Sequence, residues 1–175
     1  MTEKKIKEKE AQKKPVKKEV KAPRNGDVKT SAKISEFEER VLEIRRVSKK
    51  IKGGNAIGFT ALVVTGDKSG TIGYGYGKAR SVAAAIHKAI ATAKKNNTKL
   101  KIKDGTIAHS VEAKIGGAKV LLKPAPEGSG IIAGGSVRVV VDLAGIENIS
   151  SKMLGSNNKL ANVRCAIKAL KKLKE

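Results

Sequence analysis

The chain contains no tryptophan and a single cysteine, and its aromatic residues are confined to Phe37, Phe59, Tyr74 and Tyr76. A core must therefore be built from Val, Ile, Leu and Ala, with glycines letting backbones approach closely. Each fully buried aliphatic side chain contributes about 1.5–3 kcal/mol, and a domain of about 60 residues buries only about 60% of its unfolded surface. Either half of a 175-residue chain is then marginal alone. The lone Cys165 excludes an internal disulfide and fits a reducing cytoplasm. No apolar run is long enough to span a membrane. The basic amphipathic stretch 159–174, the best candidate for lying on a membrane surface, has no aromatic anchor.

Acidic residues are scarce as well: 16 against 38 basic ones leave a net charge of +22, which favours a polyanionic partner. Residues 1–33 hold 12 basic and 5 acidic side chains (+7), residues 34–103 hold 15 and 5 (+10), and residues 104–175 hold 11 and 6 (+5). The middle third is the expected docking face. Residues 1–33 lack the apolar centre of a signal peptide and the Arg-rich, acid-poor character of a transit peptide. They read as a disordered basic tail, either solubilising or ordering on a nucleic acid. The rest divides into units at 34–103 and 104–175.

What is present concentrates between Arg45 and Arg80. Arg45, Arg46, Lys49, Lys50 and Lys52 place five cations in one run without an acidic residue, closed by Gly53-Gly54. The glycines allow a sharp turn and close backbone approach. A solvated loop is the bland alternative, and ordered patterns on either side argue against it. Upstream, Phe37, Val41 and Ile44 recur at helical spacing, which predicts a short helical lead-in from Glu36 that merges into a strand. Phe59 to Thr65 has strand propensity, Gly66 to Gly70 hairpin-loop chemistry, and Thr71 to Gly77 is the return strand. In it Ile72, Tyr74 and Tyr76 share one face and Gly73, Gly75 and Gly77 the other. The tyrosines suit base stacking or packing under the next helix, and packing accounts best for at least one of them. Ser81 can cap a helix with an apolar stripe of Val82, Ile86, Ala89, Ile90 and Ala93, ending at Asn96-Asn97.

Lys99 to Thr106 links this three-stranded antiparallel meander and helix to a second unit. There Val111 to Ile115 and Lys119 to Lys123 read as a hairpin around Gly116-Gly117. Ser136 to Leu143 fits a strand by its β-branched residues, and a helix by the stripe Val137, Val140, Val141 and Ala144. Ile146 to Leu154 suits a strand. Asn158 can cap a last helix with Leu160, Val163, Ile167 and Leu170 inward.

Enzyme signatures fail on spacing. Gly77-Lys78 invites a phosphate loop, but Ile72 stands where its first glycine belongs and Ala79 where Ser or Thr must follow. A dinucleotide fingerprint counted from Gly73 or Gly75 meets Lys78 or Arg80 instead of its third glycine. His87, His109 and Cys165 lack partners at ligand spacing, so neither a metal nor a cofactor is expected. Asp67, Asp104 and Asp142 are isolated in sequence.

Taken together, Arg46-Val47-Ser48-Lys49, Lys52-Gly53-Gly54, Phe59-Thr60-Ala61-Leu62, Gly73 to Arg80 and Gly130-Ile131-Ile132-Ala133-Gly134-Gly135 closely resemble the family of protein five of the bacterial small ribosomal subunit. The resemblance runs from about Glu36 to the C-terminus. It implies an α+β chain with a double-stranded-RNA-binding-like first domain and a second domain with a βαβ core, making Ser136 to Leu143 a helix. It also implies a structural, non-catalytic protein of the cytoplasmic small subunit that binds its rRNA. That protein fixes the joint between body and head and supports accurate decoding where mRNA enters. By the same resemblance, Arg46, Ser48, Lys49, Lys52, Gly53 and Gly54 form the rRNA-facing loop, with Lys78 and Arg80 as further basic positions. Arg45 and Lys50 join them from the charge run itself. Gly130 to Arg138 is implied to face protein four of the subunit, and the second domain to approach protein eight. The chain departs from a common family form at Asn55, Ala83 and Lys159. The alternative use of the same first domain is a free double-stranded-RNA-binding regulator.

Overall fold

A computed structural model describes residues 37–100, 102 and 105–173; the tail read over 1–33, and Asp104, lie outside the described residues. Strand β1 (Glu38–Ile51), β2 (Gly54–Gly66), β3 (Thr71–Ala79) and a two-residue β4 (Thr98–Lys99) form an antiparallel sheet in the order β1-β2-β3-β4, with helix α1 (Val82–Lys95) following β3. The expected meander and helix are present, with the short fourth strand added where only a linker is legible. The second sheet has the order β5-β6-β8-β7: β5 (Val111–Ile115), β6 (Ala118–Pro124), β7 (Ile131–Ile132) and β8 (Ile149–Gly155). Helix α2 (Gly135–Ala144) joins β7 to the parallel β8, which makes the βαβ unit, and α3 (Lys159–Lys171) follows.

Two local expectations are corrected. The lead-in before the basic run is strand from Glu38, not helix. A bulge at Leu42 makes Val41 pair Val63 while Glu43 pairs Leu62, so Val41 and Ile44, three apart, fall on one face of a strand. That spacing imitates a helical period. The second correction concerns α1, which covers the glycine face of β3 rather than the tyrosines. Ala85, Ala89 and Ala93 are fully buried there, and a Cβ at Gly73, Gly75 or Gly77 would collide with the backbone carbonyls of Ala93, Ala89 and Ala85 respectively. Helix and strand thus meet backbone to backbone, leaving Val82, Ile86 and Ile90 of the expected stripe half-buried. Ser81 does cap α1, its Oγ accepting from the Ala84 N–H at 3.4 Å.

The other face of the first sheet has no helix of its own. Leu62, Val64 and Ile72 join Val120, Leu122, Val140, Leu143 and Val163 in one core shared with the second unit, with Tyr74 packed against it. The Arg164 guanidinium of α3 lies 5.7 Å from the Tyr74 ring centroid. At the joint, the β2–β3 loop caps α2. The Lys68 and Gly70 N–H groups donate to the Leu143 and Ala144 carbonyls at 3.1 and 3.0 Å, which are orphan acceptors of the last turn. Asp67 holds that loop by accepting from the Ser69 and Thr71 N–H groups at 2.8 Å each. Arg40 on β1 also reaches Asp142 of α2 at 2.7 Å. Asn158 caps α3, and the expected inward residues Val163, Ile167 and Leu170 are buried, joined by Asn162 and Cys165. Among the described residues no helix is long and apolar enough to cross a membrane.

Candidate nucleic-acid interface

Strand β3 pairs with β2 only as far as Phe59 opposite Ala79, whereas β1 and β2 continue pairing to Ile51 opposite Gly54. Residues 47–51 and 54–58 therefore form a free two-stranded ribbon, about 17 Å long at roughly 3.4 Å per residue. Its tip is the turn at Lys52-Gly53. Gly53 has φ +91° and Gly54 φ +150°, values that side-chain-bearing residues rarely adopt, and so both closing glycines are required. The basic run is thus a projecting arm and not a loop lying against the sheet.

Alternation distributes the cations over both faces of this arm. Arg46, Ser48 and Lys50 stand opposite Phe59, Ile57 and Asn55; Arg45 and Lys49 stand opposite Thr60 and Ala56. Arg46, Lys49, Lys50 and Lys52 are exposed and make no ion pair among the described residues. Arg45 differs: its Nε lies 3.0 Å from Glu43, which Lys159 also approaches at 3.4 Å. Burial alone would raise the Glu43 carboxyl, but hydrogen bonds from Arg45 and Lys159 outweigh it and hold the group below the usual carboxylate range. Part of the Arg45 charge is therefore spent at the base of the arm.

Where the arm leaves the sheet, a groove of about 400 Å³ opens, lined by Val47, Lys49, Ile57, Lys78, Arg80 and Lys88, with Ser48 and Gly58 between them. It brings together Ser48, Lys49, Lys78 and Arg80, residues expected from sequence and separated by some thirty positions, on an apolar floor with a cationic rim. Arg46, Lys50 and Lys52 line no part of this groove. Lys88 was missed by sequence reasoning, because its place on α1 reads only as outward-facing; no signal in the sequence places it beside Arg80. Gly130 and Arg138 sit in the second unit. The Gly130 N–H donates to Asn148 Oδ1 at 3.1 Å, and Arg138 donates to the Ile131 carbonyl at 3.0 Å, bracing the segment before α2. Tyr74 is taken up by the core, while Tyr76 is 47% exposed beside Thr60, Asn158 and Leu160. Among the described residues no group of three or more His, Cys, Asp or Glu is placed to hold a metal ion.

These features define a two-domain α+β protein that exposes a basic arm and a groove rimmed by cations. Family models match both halves: "Ribosomal protein S5, N-terminal domain" over residues 37–101 and "Ribosomal protein S5, C-terminal domain" over residues 113–175. Curated relatives named "Small ribosomal subunit protein uS5" from Campylobacter jejuni strains 81-176, 81116 and RM1221 are 54% identical over 139 residues, covering 79% of this chain and 95% of each relative. The chain belongs to the ribosomal protein S5 family.

Proposed function

We propose that this chain is a structural, non-catalytic constituent of the small ribosomal subunit, cytoplasmic with it, and that its first domain binds small-subunit rRNA. The observation that carries this reading is the arm: Lys49, Lys50 and Lys52 on a ribbon of fixed register with Arg46 at its base, all exposed and unpaired among the described residues. A narrow ribbon with charge on both faces can enter a crevice between RNA helices and neutralise phosphates on either side. Arg45, Ser48, Gly53, Gly54, Lys78 and Arg80 complete the contact, and Lys88 is added to it. Affinity then comes from counterion release, and register from shape rather than from base edges.

The first unit, 34–103, carries the arm and its groove as the rRNA contact, and the contacts to neighbouring proteins lie on the second, 104–175. Gly130 and Arg138 belong to a surface facing protein four of the subunit, with protein eight approaching the same domain. So placed, the protein stabilises the junction of body and head and supports accurate decoding where mRNA enters. Sucrose-gradient sedimentation of cell extract tests the core of this proposal. Co-migration with small subunits at moderate salt is expected, and protein sedimenting with free RNA instead would support a regulator that acts off the ribosome.

A further inference from the structure

We infer that the open face of the second sheet is a separate RNA-backbone contact, an inference that rests on the rRNA reading above. Both α2 and α3 pack on the face that carries Val111, Ala113, Val120, Leu122 and Ile149. Strand alternation puts Lys114, Lys119, Lys123 and Lys152 on the opposite face, which no described element covers.

The register makes this lysine grid compact. Lys114 stands directly opposite Lys119, and Lys152 opposite Leu121, midway along β6 between Lys119 and Lys123. Like charges directly opposite destabilise a sheet, and a merely solvated face ordinarily interleaves its signs. Here one carboxylate, Glu112, meets four lysines and is already engaged by Lys119. Lys114, Lys123 and Lys152 have no acidic partner among the described residues. The face has no aromatic side chain on which a base could stack. Its apolar part is confined to Leu121, half-buried on β6, Leu154, 38% exposed on β8, and Ile132, 58% exposed on β7, too little for a hydrophobic protein interface. Point cations on a firm sheet without stacking platforms suit phosphates.

The test is a salt titration of full-length protein on purified small-subunit rRNA. The variant Lys114→Ala/Lys123→Ala/Lys152→Ala is compared with the corresponding triple arginine variant and with Lys49→Glu/Lys52→Glu on the arm. At about 0.9 per phosphate, the alanine variant loses roughly 2–3 from the slope of log affinity against log salt. The affinity lost between 50 and 200 mM salt then shrinks by about 40-fold, while the arginine variant keeps the wild-type slope. An unchanged slope in the alanine variant, with the arm variant still losing slope, would overturn the inference, assign the face to water or to an acidic protein, and leave the rRNA reading standing. If neither variant loses slope, both fall.

Discussion

At the scale of single residues, the glycines of β3 decide how the first domain is assembled. Gly73, Gly75 and Gly77 let the backbone of α1 rest on the strand, where any Cβ would meet a helix carbonyl. At Gly75 and Gly77 every close atom is helix backbone, so the structure can yield there only by moving the helix; at Gly73 the Asn97 side chain is met as well. Gly75→Ala is therefore expected to destabilise the chain by about 1–3 kcal/mol, the usual cost of overpacking, read from denaturant unfolding. A variant as stable as wild type would show that helix and strand are not in backbone contact. The alternation of glycine and tyrosine was legible from the strand period alone, whereas which side the helix takes was not. Packing Ala85, Ala89 and Ala93 onto bare backbone wins over burying two phenols whose hydroxyls then need partners.

At the scale of elements, most strands and helices could be read directly, because caps and turns are written in local chemistry: Ser81 and Asn158 as N-caps, Gly116-Gly117 between β5 and β6. Failures arose where a pairing partner alters the local period, as at the Leu42 bulge, or where an element is only two residues long, as at β4. The β2–β3 loop shows an element doing more than connect. Asp67 ties it into the shape that caps α2, and its carboxyl, which burial would raise, is held below the ordinary aspartate value of about 3.9 by N–H groups of Ser69 and Thr71. A depressed folded-state value means a stabilising contribution that is complete above pH 4 and lost as the pH falls through that lower value. Asp67→Ala is expected to cost about 1–2 kcal/mol at neutral pH, with the gap to wild type closing in acid below about pH 4. A gap of constant size across thermal melts from pH 7 to pH 3 would contradict this role.

At the scale of the whole molecule, the two domains are sequence modules but share one core. Leu62, Val64 and Ile72 are buried by the second unit and not by α1. Exposing three such side chains costs on the order of 5–9 kcal/mol, comparable to the entire stability of a small domain. The fragment 34–103 is therefore expected to lack a cooperative unfolding transition, while the full chain unfolds in a single one. A fragment that melts sharply on its own would separate the domains energetically. The run of cations was legible in sequence, but its shape was not: the length of the arm depends on where β3 stops pairing, and the groove depends on α1 bringing Lys88 to Arg80. Both are consequences of long-range register, which no local pattern encodes.

The proposed seating of this arm on folded small-subunit rRNA is read out by hydroxyl-radical cleavage of that rRNA, bound by wild-type protein or by Lys49→Glu/Lys52→Glu. Discrete protected backbone positions are expected, a subset of which the charge-reversed arm specifically exposes. Identical protection by both proteins, or no protection by the wild type, would contradict it.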